Sequence, residues 1–358
     1  MILLPYFFLV PLISSYVIRD RRDASLSNYG PPPGIGFHLT TSYAIAAIRY
    51  PNGTAEDLLR VEAGTEYKAL ISRMANPLSR RKCQTQWEKF QCSIAHTKRQ
   101  LNKHLGRPAT EDIGILARFL LDINAAVEKK LGFATTHKIF PVFPILPALE
   151  EEDIQDAFEY ADLDWLLAER RSYHTYWETN AAYAGVGYGL CKSTTNLERC
   201  EDEERDMRLE RVLFLNFDDS SFRATLQPMQ NAYWDYIDAS TLHLDLGRSQ
   251  LPDNEVDRAR FWASIQEAIV DVGSTLTRPP NKVILIGEHA DDPDFAETVK
   301  EAIWELIEFD ASFLLEANAG TDSMILAARG AAELAGRAQY WESEGEGNEQ
   351  QEFAGELR

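Results

Sequence analysis

Apolar and polar positions follow two rhythms along this chain. The longest helical rhythm runs from Thr110 to Leu131, where Ile113, Leu116, Ala117, Leu120, Ile123, Val127 and Leu131 fall on one face. Thr110 ahead of acidic first-turn residues predicts its start, and Gly132 its stop. The same period predicts helices over Glu150 to Tyr160, Glu255 to Leu276, Phe295 to Phe309 and Ser323 to Tyr340. Strand-like runs span Gly34 to Phe37, Tyr43 to Ile48, His137 to Phe143, Arg211 to Leu215, Phe222 to Leu226 and Lys282 to Ile286. Two of these pairs form hairpins with hydroxyl-bearing turns, the first carrying Thr40, Thr41 and Ser42, the second Asn216, Asp218, Ser220 and Ser221. Between the elements, Glu56 to Arg107 reads as a small helical insertion whose Arg80-Arg81-Lys82 run is a solvated face. Ala181 to Gly189 reads as a closely packed small-residue helix, and Glu198 to Asp206 as a solvated connector.

The two ends break these rhythms. Ile2 to Ile18 is almost wholly apolar, which predicts a secretory h-region or a short membrane anchor. Pro5 and Pro11 interrupt it, and Arg19, Arg21 and Arg22 follow rather than precede it, so an uncleaved segment would favour a cytosolic body. Residues 1–22 are therefore a targeting segment, cleaved or retained; 23–33 are a Pro-rich linker, and 342–358 an acidic tail expected to be disordered.

Composition narrows the classes. In 358 residues, 45% are hydrophobic, enough for about two domain-sized cores. The 56 acidic against 36 basic residues give a net charge of -20, which repels a phosphate backbone and excludes a nucleic-acid binder. Four cysteines fall as Cys83/Cys92 and Cys191/Cys200, each pair enclosing eight residues. Three connectivities are open, and the repeated spacing favours the two local ones, closing surface excursions in an oxidising lumen. The Cys-x8-Cys spacing is too wide for a zinc knuckle, so no metal is expected there. Asn52-Gly53-Thr54 is a glycosylation sequon of the same compartment. Asp291-Asp292 and Glu150 to Asp153 lack calcium-loop spacing and read as helix N-terminal charge. His137, His174, Trp165, Trp177, Trp234 and Trp262 read as packing residues.

Taken together, GIGFHLTTSYAIAAI, THKIFPVFPILPALEEEDIQDAF, ETNAAYAGVGYGL, VLFLNFDDSSFRATL, VILIGEHADDP and MILAARGAAELAGRA resemble, in order, the motifs of the seventy-kilodalton heat-shock chaperone ATPases of the actin-like superfamily. They correspond to the first phosphate loop, a strand and helix, the Ala-Tyr-Gly-Leu segment, the second phosphate loop, the adenosine loop and the closing helix. The chain looks like a divergent, fungal-type member carrying the ATPase domain alone. The resemblance implies a duplicated α/β fold, ribonuclease H-like in each half, with lobes over 34–190 and 191–341 around a central cleft. It implies ATP with magnesium at Thr40, Thr41, Ser42, Asn216, Asp218, Ser220, Ser221, Gly287 and Glu288.

Several positions depart from the family. The first loop's carboxylate falls on Gly36 and its glycine on His38; the second loop's carboxylate falls on Asn216, and its glycines on Asp218, Asp219 and Ser220. The metal-side glutamate falls on Asn180 without gaps, or on Glu178 after a shift of two. Loss of both carboxylates predicts weak ATP binding, little helped by magnesium, and a pseudo-ATPase or interaction scaffold with a protein partner. The alternative is an active ATPase whose Asp218 or Asp219 takes over the metal. Membrane contact is expected only through the N-terminal segment.

Overall fold

The two predicted hairpins each seed a four-stranded sheet, and the two sheets share one topology. The computed structural model describes residues 33–338 apart from 80–81, 133–138, 167, 171–172, 195, 276–278, 309–313 and 316–321. The first sheet holds β1 (Gly34–Leu39), β2 (Tyr43–Arg49), β3 (Ala55–Glu62) and β4 (Ile139–Val142) in the order β3-β2-β1-β4. After it come a small hairpin, β5 (Ala168–Arg170) and β6 (Tyr173–Thr175), and then β7 (Glu210–Phe217), β8 (Phe222–Met229), β9 (Ala239–His243) and β10 (Lys282–Ile286). The second sheet runs β9-β8-β7-β10. In both sheets three strands meander antiparallel and the fourth lies parallel to the first, as Gly36 opposite Phe140 and Phe214 opposite Ile284 mark. A parallel neighbour requires a crossover connection. In the first half this contains α1 (Thr65–Ala75), α2 (Gln86–His104) and α3 (Glu111–Leu131). The first half then adds α4 (Glu151–Tyr160) and α5 (Glu178–Gly185), and α6 (Leu197–Arg205) precedes the second sheet. In the second half α7 (Glu255–Gly273) makes the crossover, followed by α8 (Pro293–Ile307) and α9 (326–338). Helix α3 starts and stops as predicted, with Thr110 accepting from the Ile113 N–H and Gly132 taking the left-handed C-terminal position.

Strand alternation sorts the side chains into layers. The outward set of the first sheet, including Ile35, Phe37, Ala44, Ala46 and Ile48, packs on α1, α3 and α4. The outward set of the second, Leu213, Leu215, Phe217, Phe222, Ala224 and Leu226, packs on α7 and α8. Between the sheets lie α5 and α9. Helix α9 presses Ala328 and Ala332 on the inward Tyr43, Ile45 and Ala47, while Ala181 and Ala182 of α5 share a cluster with the inward Val212 and Phe214. The small residues predicted to pack closely do so: a Cβ on Gly330 would lie 1.7 Å from the Ala181 carbonyl oxygen, so α5 and α9 touch backbone to backbone.

Three elements correct the sequence reading. The stretch from Glu56, which reads from sequence as the start of the helical insertion, belongs to the edge strand β3, in which only Leu58 is buried. The edge strand β9, with no buried residue, was not predicted. Glu198 to Asp206 is not a solvated connector but mostly helix α6, which buries Cys200 and Glu204. The local disulfides Cys83–Cys92 and Cys191–Cys200 are both present. The second does not tie down a surface excursion: Cys191 and Cys200 lie in the central apolar cluster. Because its sulfurs are bonded to each other, the neighbouring Glu204 does not complete a metal site with them. Ile2 to Ile18, nearly all of the linker, His137, the end of the last predicted helix and the acidic tail lie outside the described residues, as does the side chain of His174.

Candidate functional site

The two hydroxyl-bearing turns meet. The first closes on itself, Thr40 N–H donating to the Tyr43 carbonyl and the Thr40 hydroxyl accepting from the Ser42 and Tyr43 N–H groups. The second closes in the same way through Asp218 N–H and the Ser221 carbonyl. Across the interval, the Thr41 hydroxyl is 2.8 Å from that of Ser220 and 2.9 Å from that of Ser221. Tyr43 donates its hydroxyl to Asp218 Oδ1 at 2.5 Å, and the Glu288 N–H donates to the same oxygen at 3.0 Å. Arg60 of β3 lies 4.1 Å over the Tyr43 ring and pairs with the Glu288 carboxylate at 2.7 Å. The predicted phosphate-binding residues are thus brought together, but they bond to one another.

Behind this seam is a buried polar cluster. The inward positions of β8, Arg223, Thr225 and Gln227, face α5, whose first residues are Glu178, Thr179 and Asn180. Glu178 accepts a hydrogen bond from His38 Nε2 at 2.9 Å, with the ring in the matching tautomer, and pairs with Arg223 Nε at 2.9 Å; Asn216 Nδ2 is 3.4 Å away. Of the two candidates for the family's glutamate, Glu178 therefore stands at the centre. Asn180 instead donates to the Ala232 and Trp234 carbonyls, and Thr179 donates to Gln227. Burial alone would raise the Glu178 pKa, but Arg223, His38 and Asn216 together hold it below the ordinary glutamate value. Asp218 moves the other way: burial raises its pKa, against the hydrogen bonds from Tyr43 and Glu288 and the charge of Arg223. Glu288 is lowered by its hydrogen bond to Arg60. His38 Nδ1, Asn216 Oδ1, Asp218 Oδ2 and both Nη atoms of Arg223 are buried without a hydrogen-bond partner among the described protein groups. Each such atom is costly to hold, so the fold sustains this cluster against its own solvation.

Magnesium and phosphate fit this arrangement poorly. Gly36, where the resemblance would put the first loop's carboxylate, has no room for a side chain: a Cβ there would lie 2.2 Å from the Ala332 N of α9. Where the resemblance expects glycines that let phosphate approach the backbone, buried His38 and Asp218 stand, while Gly247 lies against the backbone of Asp219 to Ser221. Gly287, at φ +103°, holds the loop after β10 directly on Asn216 and Asp218. Asp219, expected to repel phosphate, is exposed beside His289. The other acidic runs act as the sequence suggested: Asp292 caps α8, and Glu150 with Asp153 forms a capping box on α4. Arg223 and Tyr43 were not singled out from the sequence. The signal for Arg223 was available, because Arg223-x-Thr225-x-Gln227 is a polar period-two face inside a buried strand. A scan against protein-family models finds no match, and a search of curated proteins finds no relative.

Proposed function

We propose that this chain is a pseudo-ATPase: an actin-like ATPase body, duplicated and ribonuclease H-like in each half, that serves as an interaction scaffold and does not hydrolyse nucleotide. The repeated strand order, with the parallel fourth strand in each sheet and α5 against α9 between them, supports the fold assignment. The single observation that carries the functional reading is the direct bonding of Thr41 to Ser220 and Ser221, reinforced by Tyr43 and Asp218. Donors that would receive a γ-phosphate already have partners, and of the two buried carboxylates at the seam Glu178 is committed to Arg223 and Asp218 accepts from Tyr43 and the Glu288 N–H. Phosphoryl transfer depends on positioned metal and free donors. A decayed site on a persistent fold matches this pattern.

The reading places the protein in an oxidising compartment, secreted or lumenal, reached through Ile2 to Ile18. The two disulfides fit such a compartment. Among the described residues no helix is long and apolar enough to cross a membrane. Asn52, the proposed glycan site, is exposed on a turn with its side chain bonded to Thr54.

The test is calorimetric titration of the oxidised full-length protein with ATP, with and without magnesium, beside a phosphate-release assay. The expected result is no saturable binding tighter than about 1 mM, no magnesium effect and no steady turnover. Magnesium-dependent micromolar binding with turnover would overturn the pseudo-ATPase reading and favour the active ATPase.

A further inference from the structure

Three buried groups of the metal-ligating kind converge at the second disulfide. Cys191 and Cys200 are 2% and 0% exposed, and Glu204, one turn after Cys200 on α6, is 4% exposed. The two sulfurs and a Glu204 carboxylate oxygen all lie within 4.8 Å of one another, with Glu204 Oε1 3.4 Å from Cys200 Sγ. Four-residue spacing puts Cys200 and Glu204 on one face of α6, and they are the residues that this helix buries. The loop carrying Cys191 is held to α6 by more than the disulfide. Glu203 accepts from the Lys192 and Ser193 N–H groups at 2.6 and 3.2 Å and from the Ser193 hydroxyl at 2.6 Å. From the other side Arg337 of α9 donates to the Cys191 carbonyl at 2.9 Å and stands 3.4 Å from its sulfur. The sulfurs otherwise sit in the central apolar cluster.

We propose that Cys191, Cys200 and Glu204 form a redox-gated zinc site, closed to metal as the disulfide and opened by its reduction. A dithiol breaks the Sγ–Sγ bond by supplying two electrons and two protons, leaving two thiols and becoming a disulfide itself; zinc then displaces both thiol protons and binds the thiolates. The spacing suits the ion. Tetrahedral zinc with Zn–S of about 2.3 Å and Zn–O of about 2.0 Å sets sulfur and oxygen about 3.5 Å apart, and two sulfurs about 3.8 Å apart. Cys200 and Glu204 already stand at the first separation. With the Cα atoms of the cysteines 5.1 Å apart, side-chain rotation supplies the second once the bond is cut. The charge also closes: zinc with two thiolates and one carboxylate carries one net negative charge, and the adjoining Arg49–Glu333–Arg337 chain carries one net positive charge. Two sulfurs disfavour magnesium and calcium, and the carboxylate favours zinc over copper(I). The third ligand, which the cysteine spacing alone lacks, comes from the turn of α6.

The probe is zinc, titrated against a chromophoric chelator into full-length protein that has been reduced with a dithiol and desalted without oxygen. The reduced protein is expected to bind about one zinc per chain with a Kd below about 1 μM, and the oxidised protein none at that concentration. Removing the outer cysteine pair, Cys83→Ser with Cys92→Ser, should leave this binding unchanged. Cys191→Ser should abolish it, and Glu204→Gln should weaken it at least about tenfold. Cobalt(II) in place of zinc should give thiolate charge-transfer absorption that Cys191→Ser removes. Where reduction unfolds the chain, zinc but not magnesium should restore its circular dichroism. Reduced protein that neither binds zinc nor refolds with it would overturn the proposal. So would binding that survives Cys191→Ser, is unchanged by Glu204→Gln, is lost with the outer pair, or is equal in the oxidised protein.

Discussion

Gly36→Asp, which places a carboxylate where the chaperone-ATPase resemblance would put one, is expected to prevent folding and to create no metal site. The inward side of β1 at this point is covered by α9, and the new Cβ would lie 2.2 Å from the Ala332 N and 2.6 Å from the Ala328 carbonyl oxygen. The carboxylate would also be buried, which adds a desolvation cost to the overlap. A loss of about 4–5 kcal/mol or more is expected, in the extreme tail for single substitutions and comparable with the whole stability of many domains. Gly64→Asp is the control, because a Cβ at Gly64 meets nothing within 4 Å and the residue occupies the α1 N-cap, where Asp is favoured. Urea unfolding followed by circular dichroism separates the two. A Gly36→Asp protein with a normal unfolding midpoint would mean that α9 does not occupy this space.

Glu178→Gln is expected to cost about 3–5 kcal/mol, because it leaves the Arg223 guanidinium buried without its counter-charge. Replacing both partners, Glu178→Gln with Arg223→Met, should recover most of that loss, and the double-mutant cycle measures how much. The pH dependence has a definite sign. Since Glu178 titrates below its unfolded value in the folded protein, its contribution is complete above that unfolded value, about 4.3; it is lost as pH falls through the folded one. Asp218 has the opposite sign: its raised pKa stabilises the fold in acid, and that contribution fades as pH rises through the folded value. Denaturation midpoints measured from pH 3 to 7 should therefore fall less steeply in acid for Glu178→Gln than for wild type. Parallel profiles would show that Glu178 is not the charge that the cluster depends on.

The elements legible in the sequence are those with their periodicity buried. Helix α3 and the strands β1, β2, β7, β8 and β10 were found because nearly all their apolar positions face a core. The antiparallel edge strands β3 and β9 were missed for the converse reason: Ala55–Glu62 buries one residue, Leu58, and Ala239–His243 none, so neither writes a period-two signal. Helix α6 carries so many acidic residues that its buried Cys200 was read as part of a loop. The turns were legible from their hydroxyls, yet their bonding to each other was not, since Thr41 and Ser221 are 180 residues apart. Alignment register in the sequence left both Glu178 and Asn180 open; in the fold Glu178 is the one that faces Arg223, while Asn180 donates to the Ala232 carbonyl.

Amide hydrogen exchange across residues 39–43 and 217–222, with and without magnesium-ATP, most directly tests whether the two turns hold each other. Mutually bonded turns should be strongly protected in the free protein, the Thr40 and Asp218 amides among them. Their protection should be unchanged by nucleotide and weakened in both turns by Thr41→Ala. Fast exchange in the free protein that slows when magnesium-ATP is added would contradict the closed seam.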